Sequence, residues 1–188
     1  MLAELTRETL IHPRRLLARV LGMDWSAALR WQVFAAVVLV STLVSWLFFM
    51  VIDRDGMLAP IIPGPFTLAL ANALLLLILV LAVFAVGRGF GGKASFGDTL
   101  VAISLLQAIM LAVQVVQMAL ILVSTALADL FGLASLALLL WLLGNFIMQV
   151  HGFRSLLQVA FGIIGALVGL SLLFSLVMVL TGLSGQGI

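Results

Sequence analysis

Five long runs of apolar residues, separated by short polar segments, make up most of the chain. None of the runs contains a charged residue, and each approaches or exceeds the roughly 20 residues that an α-helix needs to cross a bilayer. A helix satisfies its own backbone hydrogen bonds, which lipid cannot do. The pattern therefore predicts an all-α, polytopic membrane protein with five transmembrane helices in one bundle, spanning residues 31–181. The runs cover residues 31–52, 66–86, 99–124, 133–150 and 156–181.

The composition agrees with this pattern. The chain has 188 residues, of which 65% are hydrophobic and 9% are charged. Soluble domains carry about 25% charged residues, so this chain cannot cover a globule with polar surface. A charged residue in the middle of a membrane helix would cost about 2.5–3.5 kcal/mol on insertion scales. Every charge lies outside the five runs, which makes the assignment self-consistent.

The distribution of basic residues predicts the orientation of the bundle. One side would carry residues 1–30, the loop at 87–98 and the turn at 151–155, and the other side the remaining loops and the tail 182–188. Lys and Arg are enriched on the cytoplasmic side of membrane proteins. Eight basic residues on the first side against Arg54 alone on the second predict a cytoplasmic N-terminus and an external tail. The eight are Arg7, Arg14, Arg15, Arg19, Arg30, Arg88, Lys93 and Arg154.

Residues 1–30 form an N-terminal arm that is too short for a soluble domain. Pro13–Gly22 is predicted to be a short amphipathic helix, because Pro suits its first turn and Gly its end. Its apolar residues share one face, and Arg15 and Arg19 lie on the other. This pattern is typical of a helix that lies in the headgroup region against anionic lipid. The pattern also fits a flank that only fixes orientation, which is the favoured interpretation, and a helix that docks a partner, which is less favoured.

Basic residues next to the predicted spans are candidates for contact with lipid headgroups. They are Arg14, Arg15, Arg19, Arg88, Lys93 and Arg154. Two of them lie in the Gly-rich loop Gly87–Ala94, which matches the nucleotide-binding patterns G-x-G-x-x-G and G-x-x-x-x-G-K. Both patterns need a preceding strand, but a membrane span precedes this loop, and Ala94 replaces the hydroxyl residue that would bind Mg²⁺. The loop is therefore predicted to be a flexible turn, and no cofactor is expected.

Three amides give the third run a polar face. Gln107, Gln114 and Gln117 fall within an arc of roughly 80° at 100° per residue. They would either form hydrogen bonds between helices or line a polar path or a lipid groove. Because no ionisable residue lies inside the runs, ion-coupled transport is disfavoured.

Small residues mark one face of the last run, where Gly162, Gly165 and Gly169 recur. The spacing of Gly165 and Gly169 lets two helices approach closely. These glycines are predicted to serve helix packing, and the neighbour of the Gly165–Gly169 pair would be the fourth span or a second subunit.

No arrangement of residues predicts catalysis. The chain has no Cys, and its two His, His12 and His151, lack the carboxylates that a metal site or an acid–base pair would need. The pI of about 10.5 reflects scarce acids rather than a basic patch that would bind nucleic acid. The sequence therefore predicts a non-enzyme without cofactor or metal. Its expected partners are membrane lipids and other membrane proteins or further copies of itself.

Three stretches on the predicted cytoplasmic side point to a family. They are Thr9-Leu-Ile-His-Pro-Arg-Arg, Gly91-Gly-Lys-Ala-Ser-Phe, and Trp141 through the Gln149-Val-His-Gly-Phe turn to Ala160. With the five-run layout, the chain resembles the Yip family, the Ypt/Rab-GTPase-interacting membrane proteins, in its bacterial branch. The resemblance implies five helices, a cytoplasmic N-terminus and an external C-terminus. Eukaryotic members are linked to vesicle trafficking and GTPase partners, although this arm is short and Gln107 stands near an expected proline.

Together these observations favour a membrane-organising or partner-binding scaffold. A lipid-translocating or small-solute transport protein that uses the polar face of the third run is one alternative, and an accessory subunit of a larger membrane complex is another. The preference for Arg over Lys, with abundant Ala, Gly and Leu, is typical of a GC-rich bacterial genome. The expected location is therefore the bacterial inner membrane.

Overall fold

A computed structural model of the chain describes residues 9, 11–52 and 64–180; for 51–52 and most of 166–180 it describes the backbone alone. These residues form helices without a strand, which confirms the all-α prediction for this part of the chain. The tail 182–188 and residues 1–8 and 10 of the arm lie outside the described residues. The helices are α1 Pro13–Leu21, α2 Ala27–Ile52, α3 Pro65–Gly89, α4 Phe96–Val123, α5 Thr125–His151 and α6 Leu156–Leu180.

Four of these helices, α2 to α5, are long and apolar enough to cross a membrane. Helix α6 has 25 residues, but the part whose side chains are described continuously, Leu156–Gly165, is shorter than a span. The predicted fifth span at 156–181 therefore remains a prediction. The outer surface of the bundle is apolar, with Leu75, Leu122 and Leu133 each about two-thirds exposed, as a lipid-facing surface requires.

Helices α4 and α5 form a tight hairpin around Ser124, which is the only residue between them. Ser124 adopts an extended conformation, and its hydroxyl accepts a hydrogen bond from the Leu127 amide at 3.5 Å, so it caps α5. Because of this cap, α5 begins at Thr125 rather than at residue 133. Asp129, which the sequence placed in a loop, instead lies exposed in the second turn of α5.

The core lies toward the end of the bundle where α4 begins and α5 ends. Leu100 and Ile103 of α4 and Phe146 of α5 are almost fully buried there. Leu17 of the arm, at 0% exposure, belongs to the same cluster. The buried cluster comprises Leu17, Phe34, Val38, Leu76, Val80, Leu100, Ala102, Ile103, Leu106, Leu142 and Phe146.

The amphipathic arm helix α1 packs against this core and contacts both α5 and α4. Its apolar face is therefore covered by protein, and Arg15 and Arg19 remain exposed on its outer face. The predicted Pro13 and Gly22 bound the helix, where the Gly22 amide donates to the Ala18 carbonyl at 3.0 Å. The Trp25 indole donates to the Val20 carbonyl at 2.6 Å, which fixes the link to α2.

Candidate functional site

Three segments that are remote in sequence meet at one end of the bundle. They are the arm with the start of α2 (residues 11–30), the α3–α4 turn (87–98) and the α5–α6 turn (151–155); we call this the basic end. The Lys93 amide donates to the His151 carbonyl at 3.2 Å, which joins the two turns. Arg14 reaches Asn145 near the end of α5, and Arg30 faces Asp98 at the start of α4. The three stretches that carry the family resemblance therefore build one surface.

The Gly-rich loop forms a hydrogen-bonded turn. The Gly92 amide donates to the Gly87 carbonyl at 2.8 Å, and the Gly91 amide donates to the Arg88 carbonyl at 3.0 Å. Gly91 has a φ of 85°, a conformation that side chains disfavour. The turn reverses the chain between α3 and α4 and brings Gly92 beneath α5.

The His151 ring fills the space that two glycines leave open. Its side chain is only 2% exposed and stacks on Phe153 with ring centroids 5.4 Å apart. A Cβ atom added at Gly87 or at Gly92 would collide with the imidazole. The spacing of these glycines, which imitates a nucleotide loop, is thus explained by the packing of a histidine.

A left-handed glycine ends α5 and turns the chain toward α6. Gly152 has a φ of 73°, and its amide donates to the Met148 carbonyl, the bond of an αL motif. The Phe153 amide donates to the same carbonyl at 3.0 Å, the 6→1 bond of a Schellman motif. This cap sets Phe153 against the His151 ring. The His-Gly-Phe sequence is therefore one structural unit that supports the turn carrying Lys93.

Arg14 joins the arm to α5 and differs in this from the other candidates for lipid contact. Its Nε donates to the Asn145 side-chain oxygen at 3.0 Å, and one Nη lies 2.9 Å from the Met148 sulfur. Asn145 in turn donates to the Trp141 carbonyl at 2.8 Å, which orients its oxygen toward Arg14. Arg14 is half-buried, and its described side-chain contacts are with Asn145 and Met148 of α5.

The remaining candidates for lipid contact lie on the outside of the basic end. Arg15, Arg19, Arg88, Lys93 and Arg154 are all exposed. Every Arg and Lys among the described residues belongs to this end, whereas Asp129 is the only described charge at the other. This surface can attract an acidic protein segment or anionic lipid.

The glutamine face of α4 lies within the bundle, away from the basic end. The Gln114 side chain donates to the Ser45 hydroxyl of α2 at 2.9 Å. The Gln117 amide lies close to Gly132 of α5, where an added Cβ would be 2.9 Å from its nitrogen. Gln107 is half-buried. Gln114 therefore links α4 to α2 by a hydrogen bond, and Gln117 lies against α5.

The glycines of α6 have unequal surroundings. Gly162 is buried, and an added Cβ would lie 3.7 Å from Val86 of α3. Gly165 is exposed, and a Cβ there would meet nothing within 4 Å. Gly169 belongs to the helical backbone of α6. The neighbour of Gly162 is thus α3.

Residue spacing alone did not reveal the inward role of Arg14 or the pairing of Arg30 with Asp98. The available signals were weak. Arg30 directly precedes the first apolar run, and Asp98 follows Ser95 at the distance of a helix cap. No group of three or more His, Asp or Glu that could hold a metal occurs among the described residues.

The apolar helices and the single charged end define a polytopic α-helical membrane protein. Residues 7–179 match the Yip1 domain family, so the chain belongs to this family and the predicted membership is confirmed. No curated protein and no solved structure matches the chain.

Proposed function

We propose that this protein is a non-enzymatic membrane scaffold that binds partner membrane proteins at its basic end. One observation carries the proposal: the three stretches that resemble the family assemble into a single surface, through the Lys93–His151 and Arg14–Asn145 hydrogen bonds. Membership of the Yip1 domain family, a family of non-enzymatic membrane proteins, supports it. The hydrogen-bonded turns present exposed Arg and Lys side chains on one surface, which suits the docking of a partner of complementary charge.

The proposal includes a specific arrangement in the membrane. Helix α6 forms a fifth span, the N-terminal arm and the basic end face the cytoplasm, and the tail 182–188 lies outside. The excess of Arg and Lys at the basic end supports this orientation. The membrane is the bacterial inner membrane, and the chain is a member of the bacterial branch of its family.

The competing functions have less support. Transport along the glutamine face would need free amides, but Gln114 is hydrogen-bonded to Ser45 and Gln117 lies against Gly132. The accessory-subunit hypothesis is one form of the scaffold proposal, because its partner would bind the same surface. A second copy of the chain could also occupy the exposed face of α6 at Gly165.

Neutralising the exposed charges of the basic end is expected to reduce partner binding. In the triple variant Arg88→Gln, Lys93→Gln, Arg154→Gln, each lost surface ion pair removes roughly 0.5 kcal/mol, so recovery of partners falls about tenfold. The measurement is purification of tagged protein in mild detergent followed by quantitative mass spectrometry. Binding by the wild type should also weaken as salt rises.

Asp129→Asn is the matched control, because it removes an exposed charge at the opposite end of the bundle. It is expected to recover partners as the wild type does. Recovery of the chain alone from wild-type membranes would contradict the proposal, as would equal recovery by the triple variant.

A further inference from the structure

An open cleft of about 380 Å³ lies beside the starts of α2 and α4. Trp25, Trp31 and Phe96 line it with aromatic surface, and Arg30 supplies its positive charge. The candidate spans in α2 and α4 begin at Ala27 and Phe96, so the cleft lies where the apolar helices start. Tryptophan is enriched at this depth, where lipid headgroups meet the hydrocarbon.

Arg30 has hydrogen-bonding capacity that its described neighbours do not use. Its Nε is buried and has no hydrogen-bond partner among the described residues. Its Nη2 lies 3.6 Å from the Asp98 carboxylate, which is beyond ordinary hydrogen-bond length. The side chain nevertheless keeps 27% of its surface exposed in the cleft. A guanidinium in this condition can bind a phosphate oxygen at low reorganisation cost.

The surroundings of Arg30 hold it in place. Gly97 has no side chain, and an added Cβ would collide with the guanidinium and lie 2.9 Å from its Cζ. Trp31 packs near Phe96 with ring centroids 6.2 Å apart, and the Trp25 indole is fixed by its bond to Val20. The cleft is thus preformed around the guanidinium, as a binding site for a small polar group generally is.

Asp98 does not line the cleft, but it lies beside Arg30 and carries the opposite charge. Its carboxylate accepts from the Ser95 hydroxyl at 2.6 Å and keeps 39% of its side-chain surface exposed. A phosphate beside Arg30 would therefore have an acceptor for an ammonium group next to the cleft. A headgroup with a phosphodiester and an ammonium satisfies both charges, whereas an anionic headgroup without the ammonium would face the carboxylate.

We propose that this cleft binds one zwitterionic phospholipid, with the phosphodiester on Arg30 and the primary ammonium on Asp98. Its acyl chains extend along the apolar surface beside the Trp31 and Phe96 rings. The site is distinct from the exposed Arg88, Lys93 and Arg154 that serve partner binding, because Arg30 belongs to α2 and faces Asp98 of α4. The cleft thereby selects its bound lipid by the charges of the headgroup.

The test uses the full chain in nanodiscs with equal amounts of phosphatidylethanolamine and phosphatidylglycerol, and native mass spectrometry of the lipid retained after release. We expect one phosphatidylethanolamine per chain in preference to phosphatidylglycerol. Arg30→Gln should reduce its retention about tenfold, the usual effect of losing a charge-assisted hydrogen bond. Asp98→Asn keeps a side-chain oxygen that can accept from the Ser95 hydroxyl, but it removes the negative charge. It should therefore abolish the preference between the two lipids. Asp129→Asn, which removes an exposed charge at the opposite end of the bundle, should have no effect.

Preferred retention of phosphatidylglycerol by the wild type would overturn the proposal, as would unchanged retention in Arg30→Gln. If Arg30→Gln does not fold, Gly97→Ala provides an independent test of the site, because it keeps the charge of Arg30 but displaces its guanidinium. Gly97→Ala should then lose phosphatidylethanolamine, and full retention would overturn the site. Partner recovery should persist in Gly97→Ala, which separates failure of this site from failure of the scaffold proposal.

Discussion

Gly87→Ala is expected to destabilise the protein by about 1–3 kcal/mol, the usual cost of overpacking a filled site. An added Cβ meets three atoms of the His151 ring. The ring cannot move aside easily, because it is buried and stacked on Phe153. The midpoint of thermal unfolding in detergent should fall by several degrees, which measures the effect.

Removing the ring should reverse the effect of the added methyl group. In a His151→Ala background, Gly87→Ala should be neutral or slightly stabilising, because Ala is favoured over Gly in a helix by roughly 0.5–1 kcal/mol. Gly92→Ala should be rescued only in part, since its Cβ would also lie 2.6 Å from the Gly87 carbonyl oxygen. Gly89→Ala is the control, because a Cβ there meets nothing. Additive effects of Gly87→Ala and His151→Ala would contradict the proposed contact.

Leu17→Ala is expected to release the N-terminal arm from the bundle. The Leu17 side chain is fully buried in the core, and truncation of such a leucine costs about 2–5 kcal/mol. Since a nine-residue helix is unstable alone, loss of this contact should unfold α1 as well as undock it. Hydrogen exchange of the amides of Pro13–Leu21 should accelerate strongly, while exchange in the core of α4 should change little.

Two neighbouring arginines provide a matched pair for the same measurement. Arg14→Ala removes the hydrogen bond to Asn145 and should also accelerate exchange in α1. Arg15→Ala removes an exposed charge on the outer face and should leave exchange unchanged. Equal protection of α1 in the Arg14 and Arg15 variants would show that the Asn145 contact does not hold the arm.

The helices were predictable because one physical rule dominates them. Backbone groups in lipid must pair within a helix, so long uncharged runs could hardly form anything else. The boundary near Ser124 was less predictable, because the polar start of α5 at Thr125 depends on a local cap rather than on hydropathy. The position of α1 was ambiguous, since an amphipathic face suits lipid and protein equally.

The basic end was harder to read because its contacts join distant segments. The glycines at 87 and 92 carried a visible spacing, but nothing local shows that a histidine 59 residues beyond Gly92 fills the gap they leave. Arg14 likewise looked like its neighbour Arg15, and only the position of Asn145 distinguishes the two. The count of basic residues predicted that these segments lie on one side of the membrane. Their contacts with one another are visible only in the folded chain.

Single-cysteine labelling tests most directly the claim that the basic end is one cytoplasmic surface. The chain lacks Cys, so each new thiol reports alone. In intact spheroplasts, a membrane-impermeant maleimide should label Asp129→Cys and Ser184→Cys. It should label Arg88→Cys, Lys93→Cys and Arg154→Cys only after permeabilisation. Labelling of any of these three in intact spheroplasts, or protection of Asp129→Cys, would contradict the account.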